Sequence, residues 1–108
     1  MYHKNLAEGS WFRLSLAEQL GNIGSEYGRA RNWRLKNNQV YFNKAAERAL
    51  ELMDLTMADR RWGYFRLKEL ARAREEICKD LYALDVEQPI LSLENYFNQF
   101  ALLARLNK

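Results

Sequence analysis

The chain is poor in three chemically telling residues, with one cysteine, one proline and one histidine among 108 positions. A lone Cys78 cannot close an internal disulfide, which excludes a small disulfide-stapled scaffold. His3, the sole imidazole, stands at the start of the chain, so histidine-based catalysis and His/Cys metal sites lack their residues. No apolar run approaches the roughly 18 residues that span a bilayer, and no signal-peptide pattern opens the chain. These absences lead us to expect a cytoplasmic protein without a membrane segment. One proline and five glycines are too few for a loop-rich or disordered polypeptide. What is present, 48% apolar and 29% charged residues, suits one folded domain spanning residues 1–108. The net charge of +3 comes from eleven arginines and six lysines against fourteen acidic residues. Guanidinium forks favour phosphate and carboxylate recognition, and they equally favour salt bridges.

The apolar periodicity is helical almost throughout. A first helix is expected over about 10–36 with Ser10 as N-cap. Phe12, Leu16, Leu20, Ile23, Tyr27 and Ala30 form its apolar seam. Beside the seam lie Gly21, Gly24 and Gly28, each costing a helix roughly 1 kcal/mol relative to alanine. The stripe implies a closely packed neighbouring helix, within or between subunits, or a backbone groove for a ligand or an RNA phosphate. Asn37 and Asn38 break the pattern, and a second helix is expected over 39–58 with Phe42, Ala45, Ala49, Leu52 and Thr56 inward. Asp59 reads as the N-cap of a third helix over 60–84. Its seam is Leu67, Leu70, Ile77, Leu81 and Leu84, with Arg74 in mid-arc. Asp85 to Leu91, containing Pro89, reads as the longest loop. A fourth helix over 92–106, capped by Ser92, turns Leu93, Tyr96, Phe97, Phe100 and Ala104 inward. Short connections predict an all-α, antiparallel up-down-up-down four-helix bundle.

No set of residues assembles a catalytic or metal site. A di-iron bundle needs Glu-x-x-His on two helices, and no helix carries a histidine. All-helical nucleotide pyrophosphohydrolases bind magnesium through paired acidic motifs. Glu51-x-x-Asp54, with Glu47 a turn earlier, is half of such a site but falls opposite the apolar seam. Ribonucleases of the HEPN type need an arginine followed by a histidine, which is missing. Cys78 has no base near it and flanks an apolar seam, the place of a small core residue. No catalytic residue, metal or cofactor is assigned.

Two clusters mix cations with aromatics. Arg29, Arg31, Trp33, Arg34 and Lys36 end the first helix, and Arg60, Arg61, Trp62, Tyr64 and Arg66 surround the entry to the third. Such clusters can grip phosphate while stacking on bases or docking a polypeptide. They can also be cations attracted to a helix C-terminus, with tryptophan at the core rim. Arg74 needs an ion pair with a carboxylate of the first or second helix, such as Glu26, or a route to water; otherwise it marks an oligomer contact or a channel lining. Trp11, Trp33, Trp62, Tyr41 and Tyr64 exceed what one small bundle must bury. We therefore expect an interface, with Trp11, Arg74 and the glycine stripe as subunit contacts.

Three stretches carry a resemblance: Leu14-Ser-Leu-Ala-Glu-Gln-Leu-Gly-Asn-Ile-Gly-Ser-Glu26, Ala45-Ala-Glu-Arg-Ala-Leu-Glu-Leu-Met-Asp-Leu-Thr56 and Arg66-Leu-Lys-Glu-Leu-Ala-Arg-Ala-Arg-Glu-Glu-Ile-Cys78. They resemble a group of short bacterial helical-bundle proteins, a resemblance that brings no activity with it. More loosely, the chain resembles the four-helix-bundle accessory variability determinants of diversity-generating retroelements. That resemblance implies a basic, ring-forming, non-enzymatic bundle that binds a reverse transcriptase and structured RNA. The resulting expectation is an oligomeric helical accessory protein that binds RNA beside a protein partner. The alternatives are an adaptor that binds protein alone and a magnesium-dependent nucleotide pyrophosphohydrolase. On the first reading, Glu at positions 31 and 34 in place of arginine should abolish RNA retention without unfolding the bundle.

Overall fold

The structure is a computed structural model describing residues 9–82 and 91–106, of which 91 and 92 are described for the backbone alone. Four helices account for most of it: α1 (Leu16–Leu35), α2 (Gln39–Met57), α3 (Tyr64–Tyr82) and α4 (Leu91–Leu106). Among the described residues there is no strand. His3, Leu84 and Pro89 lie outside the described residues, as does the expected Asp85–Leu91 loop up to position 90.

Helix α1 starts later than the apolar seam implies. Trp11–Arg13 form a 3-10 turn, Leu14 is extended, and Ser15 caps the helix. The Glu18 amide donates to Ser15 Oγ, and the Ser15 amide donates to Glu18 Oε1, both at 3.1 Å. This reciprocal box satisfies two otherwise orphaned donors, whereas Ser10 makes no capping bond. The break at Leu14 folds the 3-10 turn back over the end of the α1–α2 pair. Trp11 is thereby 2% exposed, and its indole N–H donates to Thr56 Oγ1 at 3.0 Å. The expectation that Trp11 is a surplus aromatic for a subunit contact is corrected: it is core.

Helix α1 ends on Asn37, which adopts φ 57°, a left-handed conformation that asparagine tolerates better than most residues. The Asn38 amide reaches the Trp33 carbonyl and the Asn37 amide the Arg34 carbonyl, each at 3.0 Å, closing the last turn. Asn38 then caps α2 by accepting the Tyr41 amide at 3.1 Å. One asparagine pair thus terminates one helix and starts the next.

Asp59 does not cap α3. Its carboxylate accepts the Arg61 amide at 3.0 Å, the Arg61 guanidinium and Gln19 Nε2 at 3.3 Å. Arg61 also reaches the Leu14 carbonyl at 2.6 Å, and the Trp62 indole donates to the Thr56 carbonyl at 2.9 Å. These bonds hold residues 58–63 as a loop, and α3 begins at Tyr64. Its buried face is Leu70, Ala73, Ile77, Asp80 and Leu81. The face is rotated from the expected seam, leaving Ala71 exposed and Arg74 at its edge rather than in mid-arc. There Arg74 Nε pairs with Asp54 Oδ1 at 2.7 Å across α2 and α3, so the expected ion pair forms with a second-helix carboxylate, Asp54 rather than Glu26.

Contacts in register fix the helix directions. Gly21 approaches Ala101, Gly24 approaches Phe97, and Arg31 pairs with Glu94, so α4 runs antiparallel to α1. Phe42 meets Tyr82 with ring centroids 6.0 Å apart while Asp54 meets Arg74, so α2 and α3 are antiparallel. With the tight α1–α2 turn, the bundle runs up-down-up-down. Helix α1 packs along both α2 and α4, and α3 meets its neighbours less closely. A Cβ at Gly24 would sit 2.6 Å from Phe97 Cβ, and one at Gly21 3.3 Å from Ala101 Cα. Both glycines therefore serve packing within the chain rather than between subunits. Gly28 has open space beside it.

Candidate nucleic-acid interface

The arginines at the end of α1 divide by direction. Arg31 is 8% exposed; its Nη1 donates to Glu94 Oε1 at 2.5 Å and its Nε lies 3.3 Å from Asp80 Oδ2. Arg34 donates through Nη1 to the Asp80 carbonyl and holds Nη2 3.5 Å from Asp80 Oδ1. Asp80 is fully buried on the core face of α3, where an unpaired carboxylate would be very costly. Arg31 Nε faces Asp80 Oδ2 and Arg34 Nη2 faces Asp80 Oδ1 within ion-pair distance, while Arg31 Nε and Asp80 Oδ1 make no hydrogen bond, so charge holds these two contacts. The Tyr27 hydroxyl donates to Asp80 Oδ2 at 2.5 Å. Burial, reinforced by this carboxylate, pushes the Tyr27 hydroxyl well above the ordinary tyrosine range. Arg31 and Arg34 are thus structural, and glutamate at both positions would set acid against Asp80 and Glu94. Arg29, more exposed, pairs with Glu26 at 2.8 Å.

Once the inward arginines are removed from the cluster, a different surface remains at the α1–α2 hairpin. Trp33 near the end of α1 stacks on Tyr41 in the first turn of α2, with ring centroids 4.8 Å apart and planes 30° apart. Lys36 Nζ lies 5.1 Å from the Trp33 ring centroid, and Lys44 Nζ lies 5.6 Å from that of Tyr41. Neither lysine has a carboxylate within ion-pair distance among the described residues. Tyr41 is half exposed, and the adjoining Leu35 and Val40 are more so. The left-handed Asn37 and the Asn38 cap set the two helix ends side by side, which places these rings in contact.

Of the residues expected here, Trp33 and Lys36 belong to this surface. Tyr41 was counted among the surplus aromatics and Lys44 was not singled out. The signal was nonetheless in the sequence: Trp33-x-x-Lys36 and Tyr41-x-x-Lys44 repeat one aromatic-to-lysine spacing on the two arms of a hairpin.

The second cluster is largely committed to the fold. Arg61 is held by Asp59 at 2.6 Å, with its guanidinium carbon 4.6 Å from the Trp62 ring centroid. The Arg61 hydrogen bonds hold Asp59 down to a pKa of about 2 against the opposing effect of burial. Trp62 is half-buried and bonded to the Thr56 carbonyl. Arg66 pairs with Glu69 at 3.0 Å, and Glu69 also accepts the Tyr96 hydroxyl. Arg60 alone of that set is exposed without a partner among the described residues.

Among the described residues, no group of three or more His, Cys, Asp or Glu side chains converges as metal ligands would. Among the same residues, no helix is long and apolar enough to cross a membrane. The chain matches no protein-family model, no curated protein and no solved structure.

Proposed function

We propose that this protein is a non-enzymatic, basic helical accessory protein that binds single-stranded RNA at the α1–α2 hairpin. The observation that supports this reading is the stack of half-buried Trp33 on half-exposed Tyr41, carrying two lysines with no acidic partner among the described residues. A lysine over an exposed ring contributes about 0.5–1 kcal/mol. A base stacked on the same ring contributes about 1–3 kcal/mol and leaves the ammonium free to pair with the adjoining phosphate. Exchange of lysine for base is therefore favourable, and each phosphate contact adds counterion release. Two lysines give a salt slope near −1.4 for a single strand, so affinity falls about sevenfold from 50 to 200 mM salt. Duplex RNA hides its ring faces, so unpaired bases are the better ligand.

A protein partner belongs to the same proposal. Tyr64, Phe65, Leu102, Leu103 and Leu106 are exposed apolar side chains on α3 and α4, away from the hairpin. An exposed apolar set of this size suits a protein contact. The resemblance to retroelement accessory bundles supports a reverse transcriptase in that role, and a cytoplasmic setting agrees with it. Fluorescence anisotropy with labelled oligouridine tests the RNA reading. Trp33→Ala with Tyr41→Ala should weaken binding by at least tenfold. Unchanged binding by a folded double variant would refute it.

A further inference from the structure

The outer face of α3 carries a shallow hollow of about 580 Å³ lined by Phe65, Lys68, Glu69, Ala71, Arg72 and Glu75. Phe65 is 84% exposed, and Tyr64 meets its ring edge to face with centroids 5.5 Å apart. Glu69 is occupied by Arg66 and by the Tyr96 hydroxyl. Further along the helix Arg74 pairs with Asp54 and Lys79 with Glu76. Lys68, Arg72 and Glu75 are exposed and have no partner among the described residues, and Arg72 and Glu75 form no ion pair although three positions separate them. Glu75 is the only acidic side chain among the described residues left in that state, and it shares the hollow with two cations in the same state.

The groups come in a fixed order along the helix. From Phe65 the axis rises about 5 Å to Lys68, 10 Å to Arg72 and 15 Å to Glu75, within an arc of about 80°. A flat ring, two cations and a hydrogen-bond acceptor thus follow one another. A ligand that satisfies all of them carries a planar face, a negative charge and a donor, in that order. Two successive nucleotides of a single strand do so. One base stacks on Phe65, the backbone phosphate lies between Lys68 and Arg72, and the amino group of the next base donates to Glu75. An acidic peptide answers the cations, but it offers the Phe65 ring no flat face and its carboxylates bring Glu75 no donor. We infer that this hollow is a second single-strand subsite, which takes about two nucleotides and prefers an amino-bearing base, cytosine or adenine, at Glu75. Uracil presents its O4 acceptor where those bases present the amino group, so it is disfavoured there. The subsite takes only Phe65 from the apolar side chains assigned to the protein contact; Tyr64 and the α4 leucines stay open to it. Phe42 on α2 meets Tyr82, so the hairpin lies toward the other end of α3.

The subsite rests on the proposal that this chain binds single-stranded RNA, and its test reads it separately from the hairpin. Oligocytidine and oligouridine of about six nucleotides are titrated into nitrogen-15-labelled, nucleic-acid-free protein, and the amide shifts of residues 65–75 and 33–44 are followed. Oligocytidine should move the amides of residues 65–75 with an affinity about fivefold or more above that of oligouridine. Phe65→Ala should weaken the binding read at Lys68 and Arg72 by about fivefold or more with an unchanged circular-dichroism spectrum, because the ring is exposed in the free protein. Glu75→Gln should erase the preference for cytidine, since an amide can donate to uracil O4 as well as accept from an amino group, while the hairpin shifts stay as in the parent. Shifts confined to residues 33–44 would overturn the subsite and leave the hairpin reading standing, whereas no shift at either place would overturn both. Equal affinity for the two oligonucleotides at residues 65–75, a preference that survives Glu75→Gln, or tighter binding of an oligoglutamate peptide there would each overturn the assignment.

Discussion

Replacing Asp80 with asparagine keeps the shape of the side chain and removes the charge that Arg31 and Arg34 share. Asp80 is fully buried, and Arg31 beside it is 8% exposed. Breaking a buried pair destabilises by about 3–5 kcal/mol when the remaining charge has nowhere to go. Here the loss is smaller, because Arg31 retains Glu94 and the partly exposed Arg34 can turn to water. A loss of about 2–4 kcal/mol is expected, which lowers the melting temperature by roughly 10–20 °C in a domain of this size. The matched control is Asp54→Asn. Its pair with Arg74 is geometrically better, at 2.7 Å, yet the Asp54 side chain is 61% exposed. Screening leaves such a pair worth about 0.2–1 kcal/mol. Urea denaturation of both variants, compared at unchanged slope, measures the difference. Equal losses, or a loss under about 1 kcal/mol for Asp80→Asn, would refute the claim that the Arg31 and Arg34 charges serve the fold.

Three further outcomes are expected. Gly24→Ala should destabilise by about 1–2 kcal/mol, since the new methyl meets Phe97 Cβ and forces α1 from α4, whereas Gly28→Ala, in open space, should stabilise by about 0.5–1 kcal/mol; thermal melts that move both variants the same way would contradict the packing. Asp59, held down to about 2 in the folded chain, contributes stability that is complete above the unfolded pKa near 4 and is lost as pH falls from 4 through 2. Because Arg61 is 43% exposed on its side chain, that contribution is at most about 1–2 kcal/mol, and Asp59→Asn should flatten the acid limb of a stability-against-pH curve. Lys36→Gln should reduce the salt slope of RNA binding by about 0.7, and a slope unchanged from the parent protein would exclude a phosphate contact at that lysine.

Much of this fold was legible because its signals are local. Asn37 and Asn38 stand between two apolar seams, so the start of α2 was readable to the residue and the end of α1 to within one. The start of α1 was misplaced because Ser10 and Ser15 are both plausible caps by type. Only the Ser15-x-x-Glu18 pairing separates them. Asp59 looked like a cap for the same reason, and the long-range bonds to Gln19 and Arg61 that occupy it have no local signature. The rotation of α3 went unseen because the seam was counted from apolar residues alone. Asp80, three residues after Ile77, is part of the buried face, and recognising it would have drawn Arg31 and Arg34 inward. Charge on a helix surface was read as available for binding, and in this bundle burial decides which cations are free. Lys36 and Lys44, two of the cations left without an acidic partner among the described residues, lie beside aromatic rings brought together across the hairpin, a relation between helices that a single-helix pattern does not display.

The central claim is that the Trp33–Tyr41 stack with Lys36 and Lys44 is an RNA-binding surface. Its most direct measurement is a titration of labelled oligouridine with nucleic-acid-free protein, followed by anisotropy at several salt concentrations, for the parent chain and for Trp33→Ala with Tyr41→Ala. The account expects salt-sensitive binding that the double variant loses by at least tenfold while keeping its circular-dichroism spectrum. Equal binding by the two proteins, or none by either at low salt, would contradict it.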